Sequence, residues 1–78
     1  MKKIQILGSG CPKCVALTAN AEAAAKQTGV AYSIEKVTDI NQIVKAGVML
    51  TPALSIDGKV VSMGKILSPE DIAKHLGA

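Results

Sequence analysis

Short β-branched runs and one alanine-rich stretch divide the chain into alternating segments. Lys3-Ile4-Gln5-Ile6-Leu7 is a compact apolar run closed by Gly8-Ser9-Gly10, the pattern of a buried strand entering a tight loop. From Cys11 to Thr28 alanine dominates, and Leu17, Glu22, Lys26 and Gln27 are good helix formers. Cys14, Leu17, Ala21 and Ala24 recur at helical spacing, which predicts one buried stripe narrow enough to sit close to a sheet. Gly29 is a suitable left-handed stop. Val30 to Val37 reads as a second strand. Thr38 or Asp39 can cap a short second helix through Ala46, with Ile40, Ile43, Val44 and Gly47 on one face.

The C-terminal half carries sharper signals. Pro52 to Ile56 and Lys59 to Ser62 flank Asp57-Gly58, a pair that supplies the positive φ values of a type I′ hairpin turn. Ser68 is an N-cap, Pro69 occupies the first helical position and Asp71 the third, with Leu67 and Ile72 spaced for a hydrophobic staple. Ile72, Ala73 and Leu76 form the buried side. The order is β-α-β-α-β-β-α, an α/β class. It predicts a four-stranded mixed sheet in the order 2-1-3-4, with the first and third helices on one face and the second on the other. The first β-α-β is expected to be a right-handed parallel crossover. With 78 residues, the chain is expected to form one domain over 1–78.

Composition narrows the chemistry. Tyr32 is the only aromatic residue, so the core is left to Ile, Val, Leu, Ala and Met. The net charge is +3, without a single Arg. Bidentate guanidinium contacts and aromatic stacking platforms are therefore both missing, which argues against a nucleic-acid partner. The apolar run after Met1-Lys2-Lys3 is too short for a signal peptide, and no stretch is long enough to span a membrane. The expectation is a soluble cytoplasmic protein, monomeric because no long apolar surface pattern is evident.

In a reducing compartment two cysteines make a poor static staple. Cys11-Pro12-Lys13-Cys14 lies where the first strand's loop meets the first helix. Unpaired backbone N–H groups and the positive end of the macrodipole favour a thiolate there. An ordinary Cys titrates near about 8.5, and such sites lower it to about 3.5–7.5. Lys13 adds positive charge, and Pro12 fixes φ for the helix start. Cys14 lies one turn further, on the buried stripe. This arrangement suits Cys11 as nucleophile toward a disulfide and Cys14 as the thiol that resolves the mixed disulfide.

Other readings of the pair stand beside this one. A structural zinc site wants four ligands, and only His75 could join the two cysteines. Two thiolates suit Cu(I) or another soft ion, so a metal carrier is the main rival. Carrier domains with this motif run β-α-β-β-α-β, whereas this chain is expected to finish on a helix. Two inert buried thiols, or an adaptor that binds partners at Pro52 without chemistry, complete the alternatives.

Taken in order, Cys11-Pro12-Lys13-Cys14, Thr51-Pro52 opening the third strand, and Gly64 after the fourth resemble the thioredoxin/glutaredoxin superfamily, and its compact redox-active disulfide proteins in particular. The resemblance implies a minimal thioredoxin fold and thiol–disulfide exchange through a Cys11–Cys14 disulfide, with no other cofactor and no bound metal. It implies protein disulfide substrates and a reductase that regenerates the dithiol. It also implies a cis Thr51–Pro52 bond beside the disulfide, with the Thr51 backbone pairing to an extended substrate segment and Gly64 alongside. Two features depart from the pattern. Gly10 replaces the usual aromatic residue before the first Cys, and Gln5 is the nearest counterpart of a buried acid that serves the inner Cys. Ser62-Met63-Gly64-Lys65 keeps little of a glutathione-binding segment. Met49 and Met63 are expected mainly to fill the core, Tyr32 to be half-buried, and His75 to favour the helix dipole.

Overall fold

The computed structural model describes residues 2–8 and 12–77. Its elements are β1 (Lys2–Leu7), α1 (Pro12–Thr28), β2 (Tyr32–Val37), α2 (Ile40–Lys45), β3 (Ala53–Ile56), β4 (Lys59–Met63) and α3 (Pro69–His75). The sheet runs β2-β1-β3-β4. β1 pairs parallel to β2 and antiparallel to β3, and β3 pairs antiparallel to β4. This is the architecture that the element order predicts.

Side-chain alternation along β1 assigns the two faces. Ile4 and Ile6 join Cys14, Leu17, Ala21, Ala24 and Ala25 of α1 and Ile72 and Ala73 of α3 in one core. Leu7 points the other way and packs with Val37, Ile43, Val48 and Ala53 under α2. Leu17, Ala21, Ala24 and Ala25 are fully buried, so α1 meets the sheet along a face of mostly methyl-sized side chains. Complete burial of Ile4, Leu17, Leu54, Ile72 and Leu76 is worth roughly 1.5–3 kcal/mol for each side chain before entropy is counted.

The caps follow the sequence closely. Ser68 Oγ accepts from the Asp71 N–H at 3.2 Å with Pro69 in the first turn, and Leu67 packs against the core that holds Ile72. Asp39, rather than Thr38, caps α2, accepting from the Asn41 N–H at 2.8 Å. Asp57 and Gly58 take φ of 52° and 85° at the hairpin. The second helix departs from expectation. Only Ile43 of α2 is buried, while Ile40 is 72% and Val44 66% exposed. A helix this short offers the sheet a single position, and Gly47, one turn beyond Ile43, has no side chain. Val48 fills the gap instead, its N–H bonding back to the Ile43 carbonyl at 3.3 Å. Met49 and Met63 are likewise exposed and not core residues.

Two stability predictions follow from the hairpin and its edge strand. Asp57 Oδ1 accepts the Lys3 N–H at 2.9 Å, and Oδ2 lies 3.4 Å from Lys2 Nζ. The backbone bond first, and the lysine second, hold this carboxyl below its ordinary range. Its stabilising contribution is thus present above the unfolded value near about 4 and is lost as pH falls through the lower folded value. Asp57→Asn tolerates the positive φ but removes the charge. The stability gap between the two proteins, read from urea melts, should be constant near neutrality and close on acidification below that range. Ser62 Oγ is buried and has no hydrogen-bond partner. Ser62→Ala should therefore leave the unfolding free energy unchanged or raise it by up to about 1 kcal/mol.

Candidate active site at the Cys14 end of the sheet

The site is built where a side-chain row on β1 runs out. Positions 4, 6 and 8 share one face, and their side chains go from Ile to Ile to none. Gly8 is buried, its N–H bonded to the Val37 carbonyl at 3.0 Å. A Cβ on Gly8 would overlap Cys14 Sγ and would stand 3.7 Å from Pro52 Cα and 3.8 Å from Thr51 Cβ. The missing side chain is thus the space that the sulfur uses. Cys14 sits in the first turn of α1 and is only 6% exposed.

The opposite wall is the entry to β3. The Thr51–Pro52 peptide is cis, Pro52 is buried and Thr51 is exposed. The Pro52 carbonyl accepts the Gly64 N–H at 2.8 Å, joining this wall to the end of β4. Gly64 has φ +70°, and a Cβ there would lie 3.1 Å from Leu50 Cβ. Both the backbone conformation and the close approach of Leu50 therefore require glycine. Cys14, Thr51 and Pro52 are brought together around Gly8, and Gly64 joins them through the Pro52 carbonyl. Pro12 and Lys13 are exposed on the first turn of α1. The position assigned to the nucleophile, Cys11, lies outside the described residues.

Beside Cys14 opens a cavity of about 90 Å³ between α1 and β2, lined by Ile6, Gly8, Val15, Thr18, Lys36 and Thr38. Gly8, Lys36 and Thr38 are site residues that motif reading passes over. Gly8 could have been found from the two-residue period of β1. Lys36 emerges only once the register sets it beside Ile6. Gln5 does not take part. It faces away from this cavity, and its Nε2 donates to Glu35 Oε1 at 3.2 Å. Lys36 is the only charged side chain lining the cavity among the described residues.

Metal carriage finds little support in this geometry. Among the described residues no group of three or more His, Cys, Asp and Glu could hold a metal, and His75 is exposed on α3. With α2 between β2 and β3, the element order also differs from that of the carrier domains.

Comparison with known proteins agrees with the architecture. Residues 2–77 match the family described as a thioredoxin domain. A thioredoxin of Methanothermobacter thermautotrophicus is 42% identical over 76 residues, covering 97% of this chain and 99% of that protein. A thioredoxin of Methanocaldococcus jannaschii is 41% identical over 76 residues, covering 97% of this chain and 87% of that protein. The chain belongs to the thioredoxin family, a class of thiol–disulfide oxidoreductases.

The seat of Cys14 is tested by filling it. Gly8→Ala must displace either the sulfur or the backbone of β1. It should destabilise the protein by about 1–3 kcal/mol in chemical denaturation, well beyond the effect of Ala at an exposed site. An unchanged midpoint would show that the sulfur does not need the gap.

Proposed function

We propose that the chain transfers two electrons between its Cys11/Cys14 pair and protein disulfides, and that a separate reductase regenerates the dithiol. The observation that carries this reading is the burial of Cys14, the second cysteine of the motif, against Gly8 and the Thr51–Pro52 wall. A thiol so placed is shielded from solvent, and it follows Cys11 by three residues in the sequence, which suits a resolving role.

The Cys11 thiolate attacks one sulfur of the substrate disulfide. The substrate S–S bond breaks, one substrate thiolate leaves, and a mixed disulfide with Cys11 remains. Cys14 loses its proton and attacks Cys11 Sγ, releasing the second substrate thiolate and forming the Cys11–Cys14 disulfide. The substrate gains two electrons and the protein loses two. Pro12 and Lys13 support the nucleophile through helix-start geometry and charge. The exposed Thr51 backbone is the edge along which an extended substrate segment would pair, with Gly64 leaving room beside it. No carboxylate lines the cavity at Cys14 among the described residues. The cavity is large enough to hold water, so the Cys14 proton is given to solvent there.

No helix of the described residues is long and apolar enough to cross a membrane. We place the activity in the cytoplasm, where a reductase can hold the pair reduced.

Alkylation kinetics on the reduced protein test the roles. Cys11 should react much faster than Cys14 at neutral pH, because Cys14 is desolvated and sterically covered. Equal rates, or faster labelling of Cys14, would reverse the assignment. Cys11→Ser should abolish insulin-type disulfide reduction, while Cys14→Ser should trap mixed disulfides at Cys11. Tight Cu(I) binding without reduction or a reversible internal disulfide would favour the carrier reading instead. Lys13→Met should raise the Cys11 pKa only modestly, since an exposed charge is screened.

A further inference from the structure

The rim of the site combines apolar side chains with uncompensated positive charge. Leu50, which packs against Gly64, is 62% exposed, Ile66, two residues beyond Gly64 in the chain, is 43% exposed, and Val15 is 59% exposed beside Cys14. Lys13 is exposed in the first turn of α1, Lys36 lines the cavity at Cys14, and Lys65 directly follows Gly64. No ion pair among the described residues joins an acid to any of these three lysines. Among the described residues the one ion pair joins Lys2 to Asp57, at the hairpin end of the sheet. Glu35 adjoins Lys36 in the chain but points to the opposite face of β2, where its Oε1 accepts from Gln5 Nε2, and the carboxylate of Asp39 is engaged in capping α2. Glu70 and Asp71 belong to α3, which starts beyond Leu67, whose carbonyl accepts from Asn20 further along α1.

We propose that this surface selects acidic substrates: extended peptide segments whose disulfide cysteine is flanked by an apolar side chain and by Asp or Glu. The proposal rests on the disulfide-exchange reading above and adds to it a substrate class. Leu50 and Ile66 would cover the apolar residue while the segment lies along Thr51. Lys36 on β2 and Lys65 just after β4 flank β3 in the strand order, and each would face a carboxylate. Exposed charges of this kind contribute mostly to selectivity and to association rate. Each lysine should therefore be worth about two- to threefold in affinity at low salt.

The test uses two disulfide peptides with the same apolar core, one flanked by Glu and the other by Gln. Binding is read by fluorescence anisotropy on the Cys11→Ser, Cys14→Ser protein, and turnover on the unsubstituted protein. The Glu peptide should bind about five- to tenfold more tightly at low ionic strength, and the difference should shrink as salt rises. Lys36→Gln and Lys65→Gln should each remove about two- to threefold of the preference. Lys59→Gln, at the hairpin end of β4, should leave it intact. Equal affinity for the two peptides, or a preference untouched by salt and by both substitutions, overturns the proposal even if both peptides are reduced. Failure to reduce either peptide instead removes the redox reading on which the proposal stands.

Discussion

The close seat of α1 on the sheet is the constraint from which the site follows. A helix packs closely on its neighbours where the facing side chains are small, and Ala21, Ala24 and Ala25 give α1 such a face toward the core of β1 and α3, with no residual exposure. Carried back to the first turn, the same stripe brings Cys14 down onto β1. At that level β1 must present nothing, and Gly8 presents nothing. A larger residue at either contact would lift the helix start and move the sulfur away from Pro52. Packing of the core and placement of the thiol are therefore one arrangement rather than two.

Much of this arrangement is legible in the chain because its signals are local. The spacing of Cys14, Leu17, Ala21 and Ala24 marks the buried stripe, Asp57-Gly58 marks the hairpin, and Ser68-Pro69 marks the last helix. Each depends on a few adjacent residues whose backbone preferences agree with their burial. The second helix is less legible because its apolar residues outnumber the places available to bury them. Ile40, Ile43 and Val44 look like one face, yet so short a helix buries one of them, and Val48 arrives from outside the helix to complete the cluster. Met49 and Met63 fail as core residues for the same reason: this smaller core is filled by Leu7, Val37, Ile43, Val48 and Ala53.

The site divides along the same line. Cys14 stands out by its motif at a helix start, whereas Thr51, Pro52 and Gly64 are marked as site residues only by the resemblance to the thioredoxin/glutaredoxin superfamily. Lys36 does not stand out, because a lysine in a strand is ordinary until the register between β1 and β2 is known. Cys11 belongs to the motif in the sequence, and its role rests on that motif and on the position of its partner.

Strand parity also bears on how the inner thiol can lose its proton. Ile4, Ile6 and Gly8 face α1, so Gln5 must face α2, where Glu35 of β2 accepts its amide N–H. A carboxylate at position 5 would therefore be directed first toward that opposite face, beside another acid. Among the described residues, the polar side chains other than Cys14 that line the cavity are a threonine pair, Thr18 and Thr38, and the Lys36 ammonium. Neither hydroxyl is a base at neutral pH, and a protonated lysine can stabilise a thiolate but cannot accept its proton. With no base lining the cavity among the described residues, the proposed resolving step would depend on water entering between α1 and β2. The gap at Gly8 that seats the sulfur also lines the cavity through which that water would arrive.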